Sequence, residues 1–418
     1  MVRGVNHFVP HAFTCSAYPE KDCPPHFYAQ GNNPQYRHFG KLMEYTNRVC
    51  NLISGGRIDA PVAILYHGEA EWAGKCMLMQ KVARVCLDNQ IDFHFVPADA
   101  FTEREFYRTE VSDVLTVNGN AFKVLVLPYA QFITPETAQV IRALTENGGR
   151  VLILDALPDS LTDGTPLPNW VRDAIVVPLD SLYAHLKSCR TVKLTPDSNR
   201  IRAIHYHGDE ELVYLFNEGD AVYDGIVELP IREPVCAYNA WDNRLDTLEN
   251  VDGKIKIHLH PSHSLLIIPQ KDRAVSKPLE MKGKRQNLTH FTQSICRSID
   301  YPNFAKHRDI EKLESYHLTD PKFSGFVRYE TEFEATENFV GLEITEAYEG
   351  VEVFVNGKSA GIQIVAPYRY DLTTLCVSGK NKLTIEVATT LECERGAKKL
   401  SAPTGITGTV SLFKNSQS

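Results

Sequence analysis

The chain has 418 residues, 43% hydrophobic and 23% charged, with a net charge of −8. That is enough for about three globular domains. The acidic balance leaves no bulk basic face for nucleic acid, and no run of about 18 apolar residues is present to span a membrane.

The N-terminal residues Met1-Val2-Arg3-Gly4-Val5-Asn6-His7 lack the apolar stretch of a secretory signal. Ten cysteines are scattered without a C-x-x-C pair, which reads as reduced thiols in a cytoplasmic protein. In chain order, residues 4 to 14 read as a buried strand ended by Pro10, which removes a ladder donor. Residues 15 to 33 form a long loop whose aromatic content argues against disorder. Asn33-Pro34 opens a helix as N-cap and first helical residue. Tyr36, Phe39, Leu42, Met43, Val49, Leu52 and Ile53 form its apolar stripe, and Gly55-Gly56 ends it.

From Pro61 the pattern is strand, helix, strand. Pro61 to Tyr66, Ile91 to Val96, Phe122 to Leu127 and Arg150 to Asp155 are near-continuous apolar runs. About 18 helical residues lead to Asn89, and Thr134-Pro135-Glu136 caps a second helix ending at Asn147-Gly148-Gly149. Apolar strands separated by helices imply a parallel sheet covered on both faces, so residues 59–188 are expected to be a flavodoxin-like α/β domain. Residues 156 to 174 are rich in Pro, Asp and Thr. The period then becomes two, and strands at Ile201 to Tyr206, Glu211 to Phe216, Ala221 to Leu229, Val235 to Ala240, Lys254 to His260 and Ser264 to Ile268 predict a small antiparallel β-sandwich over 189–272. Residues 273–418 are expected to be a connector, with a helix near Asp309 to Glu314, followed by a jelly roll.

The turn after the first parallel strand, His67-Gly68-Glu69-Ala70-Glu71-Trp72, has one Gly and two carboxylates. It would repel phosphate rather than cradle it, which argues against a nucleotide or flavin. The position of an amidotransferase nucleophile reads Pro128-Tyr129-Ala130 and holds no Cys. A scaffold or oligomerisation role remains. Glu69, Glu71 and Trp72 lie where open α/β sheets bind ligands, and carboxylates beside an aromatic suit sugar. A solvated turn at an acid-favouring helix start is the alternative. His205 and His207 alternate, as do His258 and His260, with His263 close behind. Paired histidines on one strand face suit zinc, but no Cys or carboxylate completes a known spacing. They are read as ordinary histidines, and neither metal nor cofactor is expected.

In the last part of the chain Val351-Glu352-Val353-Phe354-Val355 alternates strictly, and Asn356-Gly357 is a strong hairpin signal. Gly361, Pro367-Tyr368, Asp371 and Gly379-Lys380-Asn381-Lys382-Leu383 follow. This order resembles the galactose-binding-like jelly roll of family 2 glycoside hydrolases, a domain that is often only structural. Earlier stretches resemble the end of the (β/α)8 barrel in α-L-rhamnosidases of family 106 and β-galactosidases of family 42. They are Gly4-Val5-Asn6-His7-Phe8-Val9-Pro10-His11-Ala12-Phe13, Pro24-Pro25-His26-Phe27, Asn32-Asn33-Pro34-Gln35-Tyr36 and Tyr45-Thr46-Asn47-Arg48-Val49. Residues 1–58 would then hold the last barrel strand, its loop and its helix, followed by an α/β domain that builds the oligomer in family 42.

The resemblance implies a glycoside hydrolase. A full barrel needs about 250 residues, and hydrolysis needs two carboxylates about 5 to 9.5 Å apart on barrel strands. The chain is therefore expected to be a C-terminal accessory part, inactive alone and without catalytic residues of its own. Its partners would be carbohydrate in the complete enzyme, and a second copy or a separate barrel-bearing chain. The alternative is a non-catalytic carbohydrate-binding or oligomerisation protein. His7 and His11, at the barrel's C-terminal face, would hydrogen-bond sugar hydroxyls, or else serve as structural histidines. Tyr18 and Phe27 would stack on a sugar ring or pack under the loop.

Overall fold

A computed structural model describes residues 1–11, 13, 27–278, 281, 283–335, 339–395 and 403–414. The chain divides into two compact units, Met1–Asn6 with Val49–Ser276, and His7–Arg48 with Lys277–Ser418. It is a mixed α/β chain in which strands predominate among the described residues.

The first unit contains a five-stranded, wholly parallel sheet. From one edge to the other it runs Ile175–Val177, Arg150–Leu154, Val124–Leu127, Val62–Tyr66 and Phe93–Pro97. Successive residues of each strand feed opposite faces. Ala63, Leu65, Leu125, Leu127, Val151 and Ile153 join one core with Val140, Ile141 and Leu144 of the helix Pro135–Glu146. Val62, Ile64, Val124, Val126, Leu152 and Leu154 join the other with Val82, Ala83 and Cys86 of the helix Met79–Asp88. Burial on both faces is why these strands read as continuous apolar runs. The Thr134 cap is present, its Oγ1 accepting from the Thr137 N–H at 3.1 Å, with Pro135 in the first turn.

Three local features depart from expectation. The helix after Val62–Tyr66 is broken into Gly68–Ala73 and Met79–Asp88. Between them the backbone runs extended against the segment at Gln131, with Lys75 N–H donating to Gln131 Oε1 and Met77 N–H to Tyr129 O. A Cβ at Gly74 would stand 2.7 Å from Gln131 Oε1. A three-stranded antiparallel insert, Glu110–Val111, Leu115–Val117 and Asn120–Phe122, turns at Asn118-Gly119 with both φ positive. The fifth parallel strand, Ile175–Val177, is too short to show in a periodicity reading.

Beside a two-stranded parallel ladder of Phe132–Ile133 and Ser160–Leu161, this unit has two larger antiparallel sheets. One has six strands, Arg57–Ile58, Ile201–His207, Glu211–Asn217, Ser264–Pro269, Val235–Asn239 and Arg244–Thr247. The other has four, Lys193–Thr195, Tyr223–Glu228, Lys254–Leu259 and Asn250–Val251. Leu194, Val213, Leu215, Val227, Ile255, Ile257 and Ile267 fill the core between them.

The second unit also has two antiparallel sheets. The larger runs Ala305–Ile310, Phe291–Arg297, Gly325–Ala335, Gly379–Ala388, Val351–Val355 and Lys358–Gln363. The smaller runs Lys284–Leu288, Val410–Lys414, Phe339–Ile344 and Tyr368–Asp371. Val351, Val353, Val355, Leu383, Ile385 and Val387 are fully buried in the core. Ala305–Ile310 is a strand where a helix near Asp309 to Glu314 was expected, because it pairs with Phe291–Arg297.

Residues 5 to 11 do not form the expected strand. Val5, Phe8 and Val9 are exposed, and no ladder partner reaches them among the described residues. The helix Tyr36–Leu52 forms, entered through a turn in which Asn33 Oδ1 accepts from the Gln35 N–H. Its buried face follows the predicted stripe only in its last part, at Val49 and Ile53. His38, Tyr45 and Val49 are buried, while Tyr36 and Leu42 are exposed. Phe13, Phe27, Tyr28, Tyr36 and Phe39 instead form a surface aromatic cluster with ring centroids 4.8 to 6.2 Å apart.

The Asn356-Gly357 hairpin has both residues at positive φ, as a type I′ turn requires. It is tied to the second turn by Asn381, which is 1% exposed. The Asn381 amide donates to Val377 O and Gly379 O at 2.7 and 2.9 Å. Its Oδ1 accepts from Val377 N–H and Asn356 Nδ2, both at 2.8 Å. Asn381→Ala removes all four and leaves buried groups unpaired. It should lower the stability of this unit by about 3 kcal/mol in urea unfolding, whereas the exposed neighbour Lys380→Ala should stay within about 0.5 kcal/mol.

Candidate functional site

The sequence-predicted residues are divided between the two units. His7 and His11 are exposed in the second unit, outside regular structure. Tyr18 lies outside the described residues. Glu69, Glu71 and Trp72 belong to the first unit, on the short helix Gly68–Ala73 beyond the strand Val62–Tyr66. All three are exposed, Trp72 at 91%. His67, just before them, is buried, and desolvation pulls its pKa down to about 4.

Two other groups concentrate buried polar chemistry. In the first unit, Gln90, Asp92, Arg202 and His205 are all at least nine-tenths buried. Gln90 Nε2 donates to Ser198 O and Ile201 O, both at 2.8 Å, and its Oε1 accepts from Arg190 at 2.7 Å. Arg202 donates to Leu87 O at 2.8 Å, Asp88 Oδ1 at 3.1 Å and Glu218 Oε2 at 2.7 Å. Asp92 Oδ2 accepts the His205 backbone N–H at 3.1 Å, and burial pushes that carboxyl up to about 8.

His205 itself is held by Glu211, whose Oε1 lies 2.6 Å from Nε2. Its Nδ1 faces Asp59 Oδ2 at 3.3 Å, and His207 Nε2 is 3.9 Å from the same oxygen. Burial works against charge on His205, but the neighbouring Asp59 and Glu211 carboxylates raise its pKa overall. The arrangement follows from the ladder. His205 and His207 alternate onto one strand face, and Arg57–Ile58 pairs so that Asp59 N–H donates to His205 O at 2.8 Å. Sequence spacing supplies no carboxylate for these histidines, but a distant strand does. On the other sheet, His258 faces Asp224 at 2.5 Å, with the rings of His260 and His263 in series behind it.

The second group lies in the second unit, on the face of the larger sheet turned away from its core. Glu352 and Glu386 stand directly opposite each other across the ladder and are 6% and 2% exposed. Each is occupied. Arg37 donates to Glu352 Oε2 at 2.7 and 3.2 Å, and Ser359 Oγ to its Oε1 at 3.0 Å. Arg328 donates to Glu386 Oε1 at 2.6 and 3.0 Å, and Tyr301 Oη to its Oε2 at 3.0 Å. The Arg37 guanidinium also lies 4.5 Å from the Tyr301 ring centre, and that of Arg328 lies 3.5 Å from Phe304. Burial, then the Glu386 charge, pushes the Tyr301 hydroxyl up to about 12. Each carboxylate thus accepts three hydrogen bonds, two of them from one arginine.

No protein-family model matches the sequence, and no curated protein is similar to it. The fold is found in solved structures. A rhamnosidase from Novosphingobium sp. PP1Y matches with a TM-score of 0.66 and 17% identity, over 92% of this chain and 41% of that one. The GH42 β-galactosidase Gan42B from G. stearothermophilus gives 0.39 at 11% identity, over 56% of this chain and 43% of that one. The GH42 exo-carrageenase from Bacteroides ovatus gives 0.35 at 15%, over 55% and 31%. The chain therefore has a glycoside-hydrolase-like fold and spans 41% of the length of the rhamnosidase it matches. No helix among the described residues is long and apolar enough to cross a membrane.

Two measurements test these networks. Arg328→Ala leaves Glu386 buried without its cation and should cost about 3–5 kcal/mol, most of it recovered in the double variant Arg328→Met, Glu386→Leu. Equal losses in single and double variants would refute the pairing.

His38, in the same unit, is buried against Gly350, its Nδ1 has no hydrogen-bond partner, and desolvation holds its pKa near 4. Unfolded His38 takes a proton from about pH 6.5, so the unfolded state binds more protons than the folded state between pH 6.5 and 4. Stability should therefore fall on acidification through that window, by up to about 3 kcal/mol from this residue. Urea unfolding at pH 7 and pH 4.5 should show a shallower loss in His38→Gln than in the unsubstituted protein.

Proposed function

We propose that this chain is an accessory, non-catalytic part of a glycoside hydrolase of the rhamnosidase type. The observation that carries the reading is the extent of the fold match, 92% of this chain against 41% of the rhamnosidase. The parallel strand order, with the first strand between the second and third, is that of flavodoxin-like domains, and it supports a flavodoxin-like assignment for residues 59–188. The strand patterns support a β-sandwich over 189–272 and a galactose-binding-like jelly roll within 273–418.

Two further observations favour an accessory role. The paired buried carboxylates Glu352 and Glu386 are neutralised by arginines rather than presented to a ligand. The aromatic cluster that includes Phe13, Tyr28 and Tyr36 is exposed, as are Phe8, Val9 and Leu42. It would be covered by the strands and helices of a (β/α)8 barrel carrying the catalytic carboxylates. Residues 1–58 would then contribute the last barrel strand, loop and helix, with His7, His11 and Tyr18 near the sugar. The free thiols among the described cysteines agree with a cytoplasmic setting. A second reading, a carbohydrate-binding or oligomerisation protein, is favoured by one feature, the 91% exposed Trp72 beside Glu69 and Glu71.

The purified chain should release no nitrophenol from 4-nitrophenyl α-L-rhamnoside or the corresponding β-galactoside above a buffer blank. Turnover that co-purifies with the chain through two chromatographic steps would overturn the accessory assignment. Calorimetric sugar binding abolished by Trp72→Ala would favour the second reading.

A further inference from the structure

We propose that Asp59, His205 and His207 form a binding site for one divalent transition-metal ion of the zinc class. Among the described residues, their ligand atoms converge within 4.8 Å of one another. Ligands about 2.0–2.1 Å from a tetrahedral ion stand about 3.4 Å apart. The 3.3 Å from His205 Nδ1 to Asp59 Oδ2 and the 3.9 Å from His207 Nε2 to the same oxygen bracket that spacing. Two imidazoles and a carboxylate suit zinc, cobalt or nickel rather than calcium or magnesium, which take oxygen shells.

An independent observation points the same way. His205 is 4% exposed, and its Nδ1 has no hydrogen-bond partner. The nearby Asp59 oxygen lies 3.3 Å from it. Meanwhile Glu211 accepts from Nε2 at 2.6 Å. That bond holds the ring with Nδ1 facing Asp59 and His207. A carboxylate that fixes the tautomer and raises the basicity of the other nitrogen is the usual support of a metal-ligating histidine. Asp59 and His207 are half-exposed, so an ion has an entry path, and water can complete its shell.

Bound there, the ion would tie the residue that leads into the strand Val62–Tyr66 to the sandwich strand Ile201–His207. It would act as a clip within the first unit, stabilising the folded state in proportion to its occupancy.

The test uses the whole chain stripped with chelator and titrated with Zn2+ alone and with Co2+ alone. One equivalent of Co2+ should bind with the visible absorption of a tetrahedral nitrogen and oxygen site, and Zn2+ should raise the thermal midpoint. His207→Gln and Asp59→Asn alter half-exposed side chains and should abolish both effects while leaving the circular dichroism unchanged. Glu211→Gln should weaken binding about 10–100-fold. Absence of saturable one-to-one binding would overturn the site. So would a thiolate charge-transfer band, which would assign the ion to cysteines, or equal binding by His207→Gln. None of these outcomes depends on whether the chain belongs to a hydrolase.

Discussion

A buried arginine needs acceptors for its N–H groups, and Arg202 finds three of them in the first unit. Its guanidinium reaches the carbonyl of Leu87 at the end of the helix Met79–Asp88, the Asp88 carboxylate there, and Glu218 in the sandwich. A cation at a helix C-terminus is favoured by the helix dipole, so the contact serves the helix as well as the arginine. Gln90, Asp92 and His205 extend the same logic along the seam between parallel sheet and sandwich. Polar groups of this kind fix one relative arrangement, because a slipped one leaves charges buried and alone. The convergence of Asp59 on His205 and His207 is a by-product of that fixed register.

The second unit solves a comparable problem differently. Its larger sheet puts two glutamates opposite each other, which alone would repel, and then supplies an arginine to each. Paired carboxylates are thus present, but they hold a helix and a loop onto a sheet. Paired acids in a sugar-hydrolase-like fold therefore do not by themselves mark an active centre. What surrounds them decides between structure and chemistry.

Much of the local structure was legible in the sequence, because its causes are local. Asn356-Gly357 and Thr134-Pro135 declare a turn and a cap by their own stereochemistry, and the strands from Ile201 onward declare themselves by alternation. What was missed depends on distant residues. The first half of the helix Tyr36–Leu52 turns His38 toward Gly350 and Arg37 toward Glu352, contacts that its apolar stripe does not announce. The helix break at Gly74 is imposed by the segment at Gln131. The candidate metal cluster needs Asp59 brought across a two-residue strand, and no spacing rule covers that. The predicted sugar contacts rested on barrel geometry for His7, His11 and Tyr18, and on the turn beyond a parallel strand for Glu69, Glu71 and Trp72.

The larger sheet of the second unit ends in Ala305–Ile310, whose middle is Lys306-His307-Arg308-Asp309, exposed along its length. A row of charged side chains on an open edge discourages another strand from adding to it. Oligomers or fibres that grow by continuing this sheet at that border are thereby disfavoured. A second protein meeting this unit at that border would be held through side chains, with the backbone ladder there left closed to recruitment.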